Sequence, residues 1–68
     1  MNPRRNEIMV ERLLRGEPAK IIAADLGVDP SLPPLKAQRW GLLNQRLHSV
    51  RPEDITPKGV EWLASRAA

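Results

Sequence analysis

Cysteine is absent from the 68-residue chain. That excludes a disulfide framework, a thiolate zinc site and a thiol nucleophile, and leaves packing or oligomerisation to supply stability. Phenylalanine and tyrosine are also absent, and only two tryptophans are present, which argues against RNA-binding sheets and single-strand platforms with several stacking surfaces. His48 is the only histidine, so one chain cannot assemble a site with two imidazole ligands. Its neighbour Ser49 is adjacent in sequence only, which defines no nucleophile–base pair. Asp25 and Asp29 stand one helical turn apart without an acid–base partner, and no glycine-rich phosphate loop occurs. No catalytic residue, metal or cofactor is expected. Long apolar runs are missing too. The longest, Ile21 to Ala24, falls far short of the ~20 residues of a membrane span. Near the start, Glu7 and Glu11 interrupt Ile8, Met9 and Val10, so no secretory signal is read and a cytoplasmic location is expected.

What is present describes one small domain, residues 1–68. Hydrophobic residues make up 41% and charged residues 28%, as in an ordinary folded domain and unlike a disordered tail. At this size only about 60% of the unfolded surface is buried, so the core must be shared tightly among the elements. The net charge is +3, and its distribution is uneven. No acidic residue stands between Asp29 and Glu53, a stretch that holds Lys36, Arg39, Arg46 and Arg51, whereas the rest of the chain is net −1. A central segment carrying the whole positive excess suits an anionic partner, nucleic acid first.

Four helices are expected. Over residues 6–15, Met9, Val10, Leu13 and Leu14 share one helical face, and Gly16 is a natural stop. Over residues 18–26, Pro18 opens the helix, Ala19, Ile22, Ala23 and Leu26 form its inner face, and Gly27 ends it. Asp29 to Pro34 reads as a stiff connector, because three prolines exclude a continuous helix. Residues 35–47 are read as one helix with Ala37, Trp40, Leu43 and Leu47 on a face, Gly41 being tolerated inside it. The alternative stops that helix at Gly41 and runs residues 42–50 as a wing strand. Thr56-Pro57 opens the last helix, over residues 57–66, with Gly59 where a capping box would place Glu or Gln. The expected core is Val10, Leu13, Leu14, Ile22, Leu26, Trp40, Leu43, Val60 and Leu63.

Ala19-Lys20-Ile21-Ile22-Ala23-Ala24-Asp25-Leu26-Gly27-Val28 looks like the first helix and turn of a helix-turn-helix. Ile55-Thr56-Pro57-Lys58-Gly59 resembles the Ile/Leu-Thr-x-Lys-Gly segment that leaves the wing and opens the closing helix in many bacterial and phage winged-helix proteins. Gly41-Leu42-Leu43 is similar to the start of the first wing strand in that superfamily. The resemblance covers nearly the whole chain, although Leu26-Gly27 to Gly41 is about one turn short and Pro33-Pro34 sit where a recognition helix would begin. It implies a mainly α fold: a compact helix-turn-helix, winged-helix-like bundle of three to four short helices with a short or vestigial wing. The function it implies is sequence-specific binding of double-stranded DNA by a small bacterial or phage transcriptional regulator, as a monomer or a homodimer.

On that reading Lys36, Gln38 and Arg39 open the third helix and reach base edges, Arg pairing with guanine and Gln with adenine. Arg46, His48 and Arg51 touch phosphates, Lys58 does so from the first turn of the last helix, and Ser31 caps or contacts a phosphate. The alternative is a small phage-type inhibitor of a host protein, such as an anti-CRISPR protein, with Trp62 and the arginines as interface anchors on a helix-turn-helix-like scaffold.

Overall fold

Helix ends govern this architecture, and the first three are built alike. The computed structural model describes residues 3–67, with α1 at Pro3–Leu14, α2 at Ala19–Leu26, α3 at Leu32–Arg39, a 3₁₀ turn at Pro52–Asp54 and α4 at Pro57–Ala67. After each of α1, α2 and α3 a glycine takes positive φ: Gly16 at 104°, Gly27 at 68° and Gly41 at 77°. The residue after each glycine then reaches back five positions, Glu17 N–H to the Arg12 carbonyl, Val28 to Ala23 and Leu42 to Ala37, at 3.0–3.1 Å. This satisfies carbonyls that the helix would otherwise leave unpaired, at a backbone conformation that costs an L side chain about 1–2 kcal/mol.

That rule corrects the expected helix over residues 35–47. Its second half is not helical. Gly41 ends α3, and residues 42–51 are irregular, joined to Ile55 by a single antiparallel bridge from Leu43. The stop at Gly41 that the alternative required is present, but the wing strand it proposed is not formed among the described residues.

The prolines are corrected as well. Pro33 and Pro34 lie inside the first turn of α3 and are buried. The first amide to bond within the helix belongs to Leu35, which donates to the Ser31 carbonyl at 3.2 Å. Ahead of it the helix has no carbonyl to offer, so two residues without N–H groups leave nothing unsatisfied. Asp29 organises the entry: Oδ1 accepts the Ser31 amide at 2.9 Å and the Ser31 hydroxyl at 2.6 Å.

The core forms around α1, which packs against α2, α3 and α4. Met9, Val10, Leu13, Ile22, Leu42, Pro33 and Pro34 are fully buried, with Leu14, Ala19, Ala37, Leu43 and Val50 close behind. Leu26, Trp40 and Leu63 are half-buried at the edge of this cluster. Val60 does not belong to it, being 55% exposed. The inner face of α4 is instead Gly59, Trp62, Leu63 and Arg66, so that of the two core residues expected on this helix only Leu63 packs against the cluster. Trp62 tilts against Trp40 at a centroid distance of 6.1 Å, within the usual range for an aromatic pair.

A candidate nucleic-acid interface at the C-terminal end of α3

The ion pairs of the described residues sort the cations into two groups. On α1, Arg12 forks onto Glu17 through Nε and Nη2 at 2.8 and 2.7 Å, and Nη2 also reaches Asp25 at 2.7 Å, tying α1 to the start and end of the α2 region. Arg15 pairs with Glu11 one turn away at 3.0 Å. Arg66 crosses from α4 to Glu11 at 2.8 Å and Glu7 at 3.6 Å, with its guanidinium 4.8 Å from the centre of the Trp62 ring. Hydrogen bonds from Arg66 and then Arg15 hold the Glu11 carboxyl below its ordinary range, and the hydrogen bond from Arg12 does the same for Glu17. These carboxylates are already committed to the fold.

Lys36, Arg39, Arg46 and Lys58 form the second group. None has a carboxylate within 4 Å among the described residues. Arg5 and Lys20 share that property but lie on α1 and α2. Arg51 is close to this condition, with Glu53 at 3.9 Å and side chains 80% and 70% exposed, a solvated contact worth little.

A joint between α3 and α4 brings one member of the second group, Lys58, to the end of α3. Thr56 is its centre. Its hydroxyl donates to the Gly41 carbonyl at 2.7 Å and accepts the Gly59 amide at 3.0 Å, capping α4, while its own amide donates to the Leu42 carbonyl at 3.1 Å. Gly59 is buried against this joint. A Cβ there would stand 2.5 Å from Ile55 Cγ2 and 2.6 Å from the Leu42 carbonyl oxygen. Close approach thus explains the glycine where a capping box would place Glu or Gln. Lys58 lies over Gly41, with Cδ and Nζ 3.6 Å from the place a Cβ would occupy. Its charge therefore sits by the carbonyl end of α3, where a cation is favoured.

The other expected contact residues fare differently. Gln38 and Arg46 are joined, the guanidinium Nε donating to Gln38 Oε1 at 2.8 Å. Gln38 is consequently engaged at the atom that adenine recognition needs. The Ser31 hydroxyl donates to Asp29, which keeps that carboxyl below its ordinary range, so its proton is directed away from a phosphate. The His48 side chain is exposed, while its carbonyl accepts the Ala19 amide at 2.8 Å and anchors the start of α2. No hydrogen bond or ion pair among the described residues links Ser31, His48 or Arg51 to the α3 group.

Sequence reasoning missed the Thr56–Gly41 joint and the Gln38–Arg46 pair. Only the first left a signal, a third glycine following the same helix-end grammar as Gly16 and Gly27. Among the described residues there is no cleft, no group of three or more His, Cys, Asp or Glu side chains placed to hold a metal, and no helix long and apolar enough to cross a membrane. Comparison with protein-family models, curated proteins and solved structures finds no match.

Proposed function

We propose that the chain is a small cytoplasmic, sequence-specific DNA-binding protein, a transcriptional regulator of bacterial or phage type, acting as a monomer or homodimer. The observation that carries this reading is the set of cations at and beyond the end of α3. Lys36, Arg39, Arg46 and Lys58 have no carboxylate partner, while the carboxylates of α1 and α2 are neutralised internally by Arg12, Arg15 and Arg66. Four cations are thereby left without an internal carboxylate among the described residues, available to a polyanion. The eight-residue helices α2 and α3, separated by five residues that include Gly27, suit a helix-turn-helix pair.

The alternative, an inhibitor of a host protein, relied on Trp62 and the arginines as anchors. Trp62 is packed against Trp40 under Arg66, and Arg12 and Arg66 are held in ion pairs. Those three side chains would have to leave their partners to serve an interface, which removes them, though not Arg39 or Arg46, from the inhibitor's anchors. The test is an anisotropy titration of the purified protein against labelled mixed-sequence duplex of about two helical turns, in about 50 mM salt. Saturable binding is expected. Absence of binding, with a stoichiometric host protein recovered from bacterial lysate, would transfer the case to the inhibitor.

A further inference from the structure

We infer that α3 reads a guanine through Arg39 and a nearby thymine methyl through Leu35, leaving the remaining cations of this face to hold the DNA backbone. The inference rests on the DNA reading above and specifies what that site recognises.

It follows from how α3 is rotated. Pro33, Pro34 and Ala37 are buried and define the inward direction of the helix. At about 100° per residue, Leu35 and Arg39 lie nearly opposite them, along the outward ridge. Lys36 and Gln38 fall about 160° apart, on opposite flanks, so both cannot enter one groove. Gln38 is further held by Arg46. The ridge therefore presents one hydrogen-bonding side chain. Arg39 is exposed and has no carboxylate within 4 Å among the described residues.

The chemistry of the major groove then selects the base. A guanidinium offers two parallel donors, and guanine alone presents two acceptors side by side, O6 and N7. Adenine replaces one acceptor with a donor, and cytosine offers a donor, so neither matches. Leu35, one turn earlier and half-buried, is apolar, and the thymine methyl is the apolar group that a base pair displays in this groove. Four residues of helix span about 6 Å, which sets the thymine within about two base-pair steps of the guanine. The eight residues of α3 give about 12 Å of length, comparable to the groove width.

Two labelled duplexes of about two turns test this, one alternating TG·CA and one alternating TA. Wild-type protein is expected to bind TG·CA tighter by about 5- to 150-fold, the discrimination of one bidentate pair. Arg39→Ala should abolish most of that preference while still binding the TA duplex, and exposure of this side chain predicts an unchanged melting curve. 7-Deazaguanine, which deletes N7 and preserves base pairing, should reduce the wild-type preference without changing Arg39→Ala. Uracil in place of thymine should weaken wild-type binding about threefold to fourfold, the value of one buried methyl. Equal wild-type affinity for both duplexes overturns the inference and leaves the DNA reading standing. Preference that persists in Arg39→Ala, or indifference to 7-deazaguanine, overturns the guanine contact. Indifference to uracil overturns the Leu35 contact. Failure to bind either duplex in low salt overturns the DNA reading itself.

Discussion

Gly59→Ala sets two effects of opposite sign against each other. Residue 59 is in the first turn of α4, where helix propensity favours alanine over glycine by about 0.8–1 kcal/mol. Propensity alone thus predicts a more stable protein. Packing predicts the reverse. The added Cβ would meet Ile55 Cγ2 at 2.5 Å and the Leu42 carbonyl oxygen at 2.6 Å. Ile55 has some rotameric freedom, but the carbonyl is backbone and also accepts the Thr56 amide. Relieving the contact must move α4 away from the segment after α3 and loosen the Thr56 hydrogen bonds that join them. Overpacking of this kind costs about 1–3 kcal/mol, and each neutral hydrogen bond weakened adds about 0.5–1.5 kcal/mol. Against the propensity gain, the net loss is about 1–3 kcal/mol. For a domain of this size that lowers the melting temperature by roughly 5–20 °C. Thermal denaturation followed by far-ultraviolet circular dichroism measures it. A variant that melts with or above the parent would refute the close approach of α4 to Leu42.

Other substitutions probe separate parts of the account. Gly41→Ala meets only the flexible Lys58 side chain, so its cost should be the backbone penalty of about 1–2 kcal/mol, smaller than the full clash at Gly59 and read from the same melting curves. Leu13→Ala or Ile22→Ala removes a fully buried side chain and should cost about 2–5 kcal/mol; parental melting of both would show that the α1–α2 core is misplaced. Glu11 and Glu17 have depressed carboxyl pKa values. Their stabilisation is therefore full above the ordinary carboxylate range of about 4–5 and is lost as the pH falls through the lower folded values. Arg66→Gln should flatten part of that acid-side decline in melting temperature, and an unchanged decline would remove the Arg66–Glu11 pair from the explanation.

Much of the helical framework is legible in the sequence because its signals are local. Gly16 and Gly27 end α1 and α2 as their positions after apolar-periodic segments suggest, and Ala19, Ile22 and Ala23 occupy the inner face expected of them. Gly41 obeys the same rule, yet the threefold spacing of Ala37, Trp40 and Leu43 imitates a longer helix. Trp40 and Leu43 both contact the core, so periodicity alone cannot show that the chain has left the helix between them. The prolines misled for a related reason: their positions relative to the first helical hydrogen bond decide their effect, and that bond depends on the Asp29–Ser31 turn. Gly59 carries no local signal of the backbone that approaches it.

For the site, the acid-free stretch was visible as composition, but the division between committed and available cations was not. Arg66 finds Glu11 across 55 positions and Arg12 finds Asp25 across 13, distances at which only the packing of helices selects partners.

If Lys36, Arg46 and Lys58 hold the DNA backbone while Arg39 reads a base, duplex binding must weaken as salt rises, to an extent set by those three contacts. Three such contacts predict a slope of about −2.7 for the logarithm of the association constant against the logarithm of salt concentration. Lys36→Gln, Arg46→Gln and Lys58→Gln should each reduce the steepness by about 0.9. Arg15→Gln, which removes a cation paired with Glu11 on α1, should leave it unchanged. A slope near zero, or equal changes from Arg15→Gln and Lys58→Gln, would contradict the account.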